Sequence, residues 1–315
     1  DVDGNIGYWL TGRLPKRKPN QDYRVPSPGT GEYDWDGVEN ATDLVHEVNP
    51  PEGWFANWNN KPSAKTPSWF PEGVWGVKIF DMLATNDHQG WQSFAEINRV
   101  NAHYSFLAWY MKPYLLELLE AKKPEHAELQ PAIDLFQAWP NQDVPEEPGA
   151  LLFNEWIMET MVDLFSPDFG PMVQRNIKME NLRLFFTVAF RILLPEKSGI
   201  VMCGDYLHGR DKDELAFEAF MDVLAKLTKE NGEDMSQWRY KPPEKAKFGD
   251  LGQVPMPNVG TYWMIAELSN PIEAEDMLVP GQSALKASPH YGDQFNLFRD
   301  MRYKEMKHLP ADFGR

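Results

Sequence analysis

Cysteine is the scarcest residue in this chain: Cys203, in "VMCGD", is the only one among 315 residues. An internal disulfide is therefore excluded, the redox compartment stays undecided, and the thiol reads as a small buried side chain. Positive charge is also scarce. Thirty-one Lys and Arg face 47 Asp and Glu, a formal net charge of -16, which repels nucleic acid and anionic lipid surfaces, so no nucleic-acid partner is expected. No apolar run approaches the roughly 18 residues that a membrane-spanning helix needs. An initiator methionine and a charged leader are missing too: the chain opens "DVDGNIGYWLTGRLPKR", which reads as the interior of a longer precursor. Asp3-Gly4 signals a hairpin turn, and the apolar run that follows predicts a partner strand ahead of Asp1.

Several motifs of chemistry are absent as well. "DVDGN" begins like a calcium loop, but that loop needs Gly at its sixth position and Glu at its twelfth, where Ile6 and Gly12 stand. "PGTGEYDWDG" has turn-forming glycines without phosphate-loop spacing, and Glu32, Asp34 and Asp36 would repel a phosphate. The seven histidines, His46, His88, His103, His126, His208, His290 and His308, show no metal-ligand spacing. No GxSxG elbow occurs, and Ser283, seven residues before His290, reads as a loop serine. The triplet Asn40-Ala41-Thr42 matches a glycosylation pattern that is common by chance.

What is present is apolar and aromatic residue in quantity, 42% and 13%, enough for a large core without a staple. Residues 1–85 are rich in Pro, Gly, Trp and Asn and predict sheet and loop, with strands at 5–11 and 53–58. Residues 90–235 turn helical. Tyr104, Leu107, Ala108, Met111, Leu115, Leu118 and Leu119 recur at three- and four-residue steps, with a break at Pro124. Phe153, Trp156, Ile157, Thr160, Met161 and Leu164 predict a second helix, and 182–194 a third that stops at Pro195. A fourth carries Leu215, Phe217, Phe220, Met221, Leu224 and Leu227, started by Asp211 or Asp213 and ended by Asn231-Gly232. Strand character returns in 238–315, most clearly over "GTYWMIAEL". The expectation is one α+β unit over 1–315 with an inserted helical region and no internal repeat; "VPEEPG" at Val144 is the only linker candidate.

The stretch "GWFANWNNKP" ends a predicted strand in two carboxamides, Asn59 and Asn60. An asparagine Nδ2 donates without carrying charge, so at a rigid strand end it can stabilise an oxyanion, an effect worth about 3 kcal/mol per donor. Bridging the backbone of a turn needs the same residue type. Spacing alone leaves both readings open.

Taken together, "DVDGNIGYWLTGRLPKR", "RVPSPGTGEYDWDG", "NPPEGWFANWNNKP" and "MLVPGQSALKASPHYGDQ", with the intervals between them, resemble the β-chain of the penicillin acylases, nearest the penicillin G acylase branch. The likeness is dense over residues 1–62, weak through the helices, and returns over 258–294. It implies the four-layer αββα sandwich of the N-terminal-nucleophile hydrolases, and an enzyme that hydrolyses an amide carrying a hydrophobic acyl group. The family matures by autoproteolysis into two chains, and its nucleophile is the new N-terminal Ser of the β-chain, with its own α-amino group as base. Asp1 is no such residue, so the resemblance implies the C-terminal part of a β-chain whose partners are an α chain and a β-chain segment bearing the Ser. It assigns the oxyanion donor to Asn59 and leaves Asn60 to brace the turn. No cofactor is implied for catalysis. A structural calcium of the family would fall at Tyr23 and Phe70, and Phe70 is no ligand; Glu72 is two residues away. The family's site-lining Arg falls in "WGVKIFDML", where only Lys78 is cationic. Export to the periplasm or medium is implied. The alternative is a non-catalytic scaffold or binding protein that keeps the acylase fold.

Overall fold

The computed structural model describes residues 1, 3–19, 21, 26–58, 60, 76–86, 89–170, 173, 182–198, 202, 204–242, 246–254, 260 and 262–307. These form two compact units, Asp1–Asn98 with Thr261–Arg315, and Arg99–Gly260. The Val144 segment lies inside the second unit, not at a boundary.

The first unit begins with a two-stranded antiparallel ribbon, β1 (Gly7–Trp9) and β2 (His46–Val48). The strand predicted over 5–11 is thus shorter, because its flanks pair differently. Ile6 N donates to Asn49 Oδ1 at 3.0 Å, while Asn49 Nδ2 donates to Asn5 Oδ1 at 2.9 Å, so carboxamides replace part of the ladder. The Asp3-Gly4 turn forms, with Gly4 at φ +83° and its N–H bonded to Asp1 O. Trp9 stacks on His46 across the ribbon, ring centroids 4.0 Å apart. Helix α1 spans Val77–Ala84, and α2 spans Trp91–His103, within which the division between units falls.

The second unit is helical, with α3 (Phe106–Lys122), α4 (Gln130–Ala138), α5 (Pro148–Phe169), α6 (Leu182–Leu193), α7 (Pro195–Ser198) and α8 (Lys212–Asn231). The long predicted run around Tyr104 is two helices, broken at Tyr104 and Ser105. Here the 139–147 loop clasps the chain: Ser105 N donates to Asn141 O and Asp143 N to His103 O, both at 2.8 Å. Pro113 lies inside α3. It removes one helical hydrogen bond, yet the helix continues because Met111, Tyr114 and Leu115 on either side are core residues.

The predicted faces of α5 and α8 pack together, Phe153, Trp156, Ile157, Met161 and Leu164 against Leu215, Phe220, Leu224 and Leu227, with Met221 half-buried beside them. Each such side chain contributes about 1.5–3 kcal/mol through burial. Among the described residues, three indoles are fully enclosed, and each N–H finds a backbone carbonyl: Trp139 Nε1 donates to Gln142 O, Trp156 Nε1 to Ala216 O and Trp238 Nε1 to Gly232 O, at 2.9–3.0 Å. Asp211 caps α8, its Oδ1 accepting from the N–H groups of Asp213 and Glu214, and Gly232 ends the helix at φ +91°. A short ribbon of β3 (Ala246–Lys247) and β4 (Gln253–Val254) completes the unit.

The chain then returns to the first unit with an antiparallel sheet in the order β5 (Tyr262–Glu267), β6 (Glu273–Leu278) and β7 (Lys304–Glu305). One face packs inward: Trp263 lies 5.5 Å from Phe298, on the short helix α9 (Phe295–Arg299), and 6.2 Å from Tyr303. The other face of β5 leaves Tyr262 and Met264 about half exposed, and Leu268, just past the strand, is exposed as well. Among the described residues, no helix is long and apolar enough to cross a membrane.

Candidate functional site

The segment that leads in sequence to the asparagine pair is held by aromatic side chains of two elements. A turn at 50–53 redirects the chain out of β2; Gly53 takes φ +76° and donates to Pro50 O at 2.9 Å. Residues 53–58 then run without a ladder, so the predicted strand is not formed by any described neighbour. A strand depends on a partner's hydrogen-bonding groups, and aromatic composition does not supply them. Side chains fix this segment instead. Phe55 packs on Tyr8 of β1, centroids 6.0 Å apart, and Trp54 on Phe80 of α1 at 5.9 Å.

At the segment's end, Trp58 N donates to Asn60 Oδ1 at 2.8 Å. Asn60 thus braces the turn with its side chain, the part the resemblance left to it. Asn59 itself lies outside the described residues, as do Tyr23, Phe70 and Glu72 of the calcium expectation. Cys203, His88 and His308 lie there too.

Sequence reading missed Gly76. It is buried, and a Cβ added there would stand 2.8 Å from Trp58 Cβ. Only glycine lets the start of α1 approach the indole so closely, so Gly76 sets the spacing between the helix and the 53–60 segment. The available signal was an isolated glycine directly ahead of a helical pattern. In the first turn of α1, Lys78 Nζ donates to Asp81 Oδ2 at 2.5 Å, with the two side chains 27% and 37% exposed.

Ser283 and His290 are brought near one another without forming a nucleophilic pair. Ser283 N donates to His290 O at 3.1 Å, Ser283 Oγ accepts from Leu285 N, and the His290 ring meets Asp293 Oδ2 through Nδ1 at 2.9 Å. Gly281 makes this loop possible, since a Cβ there would collide with His290 O and Asp293 Oδ1. Among the described residues, no three His, Cys, Asp or Glu are grouped to hold a metal ion.

The penicillin amidase family matches this sequence over residues 1–314. Penicillin G acylase of Escherichia coli is 25% identical, covering 97% of this chain and 42% of its own length. The acyl-homoserine lactone acylase QuiP of Pseudomonas putida (strain KT2440) is 22% identical over 99% of this chain and 44% of its own. The chain therefore spans less than half the length of these relatives. Among solved structures, the thermostable penicillin G acylase from Alcaligenes faecalis superposes with a TM-score of 0.79 at 23% identity, covering all of this chain and 64% of that one. The fold is shared, and the α+β class holds.

Proposed function

This chain belongs to the penicillin amidase family, and from that premise we propose that it is the C-terminal part of the β-chain of an N-terminal-nucleophile amidohydrolase. The carrying observation is the family match across 1–314, end to end. The substrate is an N-acyl amide with a hydrophobic acyl group. A Ser at the N-terminus of the missing β-chain segment attacks the carbonyl carbon, its proton passing to its own α-amino group. Asn59 Nδ2 and a backbone N–H hold the oxyanion as the C–N bond breaks, and the amine leaves with the proton. Water then hydrolyses the ester. No cofactor takes part in these steps.

Two features of the described chain support Asn59 in this role. The Asn60 Oδ1 bond to Trp58 N and the close seat of Trp58 on Gly76 hold the backbone on both flanks of position 59, which is the preorganisation an oxyanion donor needs. The partners are an α chain and the Ser-bearing segment, released by autoproteolysis, and the assembled heterodimer is periplasmic or secreted. Asn59→Ala is expected to lower kcat by about 10²-fold with the melting temperature unchanged, as for loss of one oxyanion donor. An unchanged kcat removes Asn59 from the mechanism. Mass spectrometry of the purified protein separates this reading from a non-catalytic scaffold: the enzyme carries a co-purifying fragment that begins with Ser, Thr or Cys, and the scaffold does not. Recovery of the chain solely from the cytoplasmic fraction would contradict export.

A further inference from the structure

We propose that Asn231-Gly232 is a self-modification site: Asn231 deamidates through attack by Gly232 N when the last turn of α8 frays, and the product unlatches that end of the helix from the buried indole of Trp238. It is the only Asn-Gly step in the sequence, and its glycine has no side chain to shield the main-chain nitrogen from the neighbouring carboxamide. Both residues are exposed, and a Cβ at Gly232 would meet no atom within 4 Å, so a succinimide ring has room to form. In the closed helix the two reactants are held apart. Gly232 N donates to Thr228 O at 2.9 Å and Asn231 Nδ2 to Leu227 O at 3.1 Å, so nucleophile and carboxamide are each tied to a different carbonyl of α8. Helix ends fray, and opening of the final turn releases both together. The N–Cγ bond then forms, the Cγ–Nδ2 bond breaks, and ammonia leaves with the proton that Gly232 N gave up. Water opens the ring at either carbonyl, leaving Asp or isoaspartate at 231. Trp238 is fully buried and its Nε1 donates to Gly232 O at 3.0 Å. Isoaspartate inserts its Cβ into the main chain ahead of Gly232, so Gly232 can no longer serve Thr228 O and Trp238 Nε1 together, and a buried N–H loses its acceptor. Asp at 231 loses the donor to Leu227 O and adds a carboxylate beside Glu230 and Glu233 at the negative end of α8.

The test uses the processed, full-length protein that contains this chain, aged at mildly alkaline pH and followed by peptide mass spectrometry. Asn231 is expected to convert ahead of the other asparagines of this chain, with isoaspartate among the products, and several-fold faster once urea has unfolded the protein. Anion exchange separates the converted fraction by its added negative charge, and that fraction is expected to unfold at a lower urea midpoint than the unconverted one. Asn231→Gln, whose longer side chain does not close the same ring, is expected to remove the acidic fraction. In Trp238→Phe, which has no N–H to strand, the gap in midpoint between the two fractions is expected to shrink. No conversion at Asn231 in the folded protein, equal rates in folded and unfolded protein, or a converted fraction with an unchanged midpoint overturns the proposal, and so does a gap that Trp238→Phe leaves at full size. The first three outcomes are read without altering the core, so they decide the matter even where Trp238→Phe does not fold.

Discussion

At the scale of single residues, His103 and Lys112 show how burial controls charge in the helical unit. His103 Nδ1 is buried without a hydrogen-bond partner, and burial, then Arg99, hold its pKa below the ordinary 6.5, with Glu146 opposing. The unfolded chain therefore takes up this proton before the folded one does, so the histidine costs no stability above pH 6.5 and costs progressively more as pH falls below it. Urea melts of the assembled protein at pH 7.5 and 5.5 are expected to lose less stability on acidification in His103→Phe than in the parent. An equal loss would contradict the assignment. Lys112 Nζ donates to Trp139 O at 2.8 Å and Phe136 O at 3.2 Å, satisfying carbonyls at the end of α4, and burial depresses its pKa. Lys112→Met retains most of the apolar stem but leaves those carbonyls short of a donor, an expected loss of about 1–2 kcal/mol in denaturant titration. Neither role was visible in sequence, where His103 and Lys112 fall on opposite sides of a helix break that is made by the distant 139–147 loop.

Among the elements, legibility followed how local the cause is. Helix α8 was readable to its ends because Asp211, the apolar face and Gly232 all lie in one stretch of chain. Asp211→Ala removes a side chain that accepts from two N–H groups and is expected to lower the denaturant midpoint with the slope of the transition unchanged. The 53–58 segment reads as a strand from its aromatic and small residues but pairs with no described neighbour, because composition says nothing about who supplies the neighbouring ladder. The turn after it was legible through its asparagines, and Asn60 closes it by accepting from Trp58 N. Gly76 belongs to the same region and was invisible, since its constraint comes from Trp58 across 18 positions of sequence. Gly76→Val forces α1 or the indole aside; the expected outcome is a drop in kcat of the assembled enzyme larger than any drop in melting temperature. A variant with normal kcat would detach α1 from the site.

For the whole molecule, the outer face of β5 matters most. Tyr262 and Met264 stand exposed on a strand that forms the edge of its sheet among the described residues, with Leu268 exposed just past its end, a combination that invites strand addition by another chain. Residues 1–315 expressed alone are expected to be poorly soluble, with Met264→Lys improving recovery; a soluble, cooperatively melting monomer of the parent chain would count against this. Reductant is expected to leave the melting temperature unmoved, because Cys203 has no second cysteine in this chain to pair with. The three enclosed indoles carry a different consequence, one of timing. Each N–H is shut away from solvent and committed to a carbonyl, so in deuterated water its proton can leave only when the helices around it part. Trp139, Trp156 and Trp238 are thus three built-in clocks at separate points of one core. Equal exchange rates would mean that the helical unit opens all at once, while a staggered sequence would name the helix that lets go first.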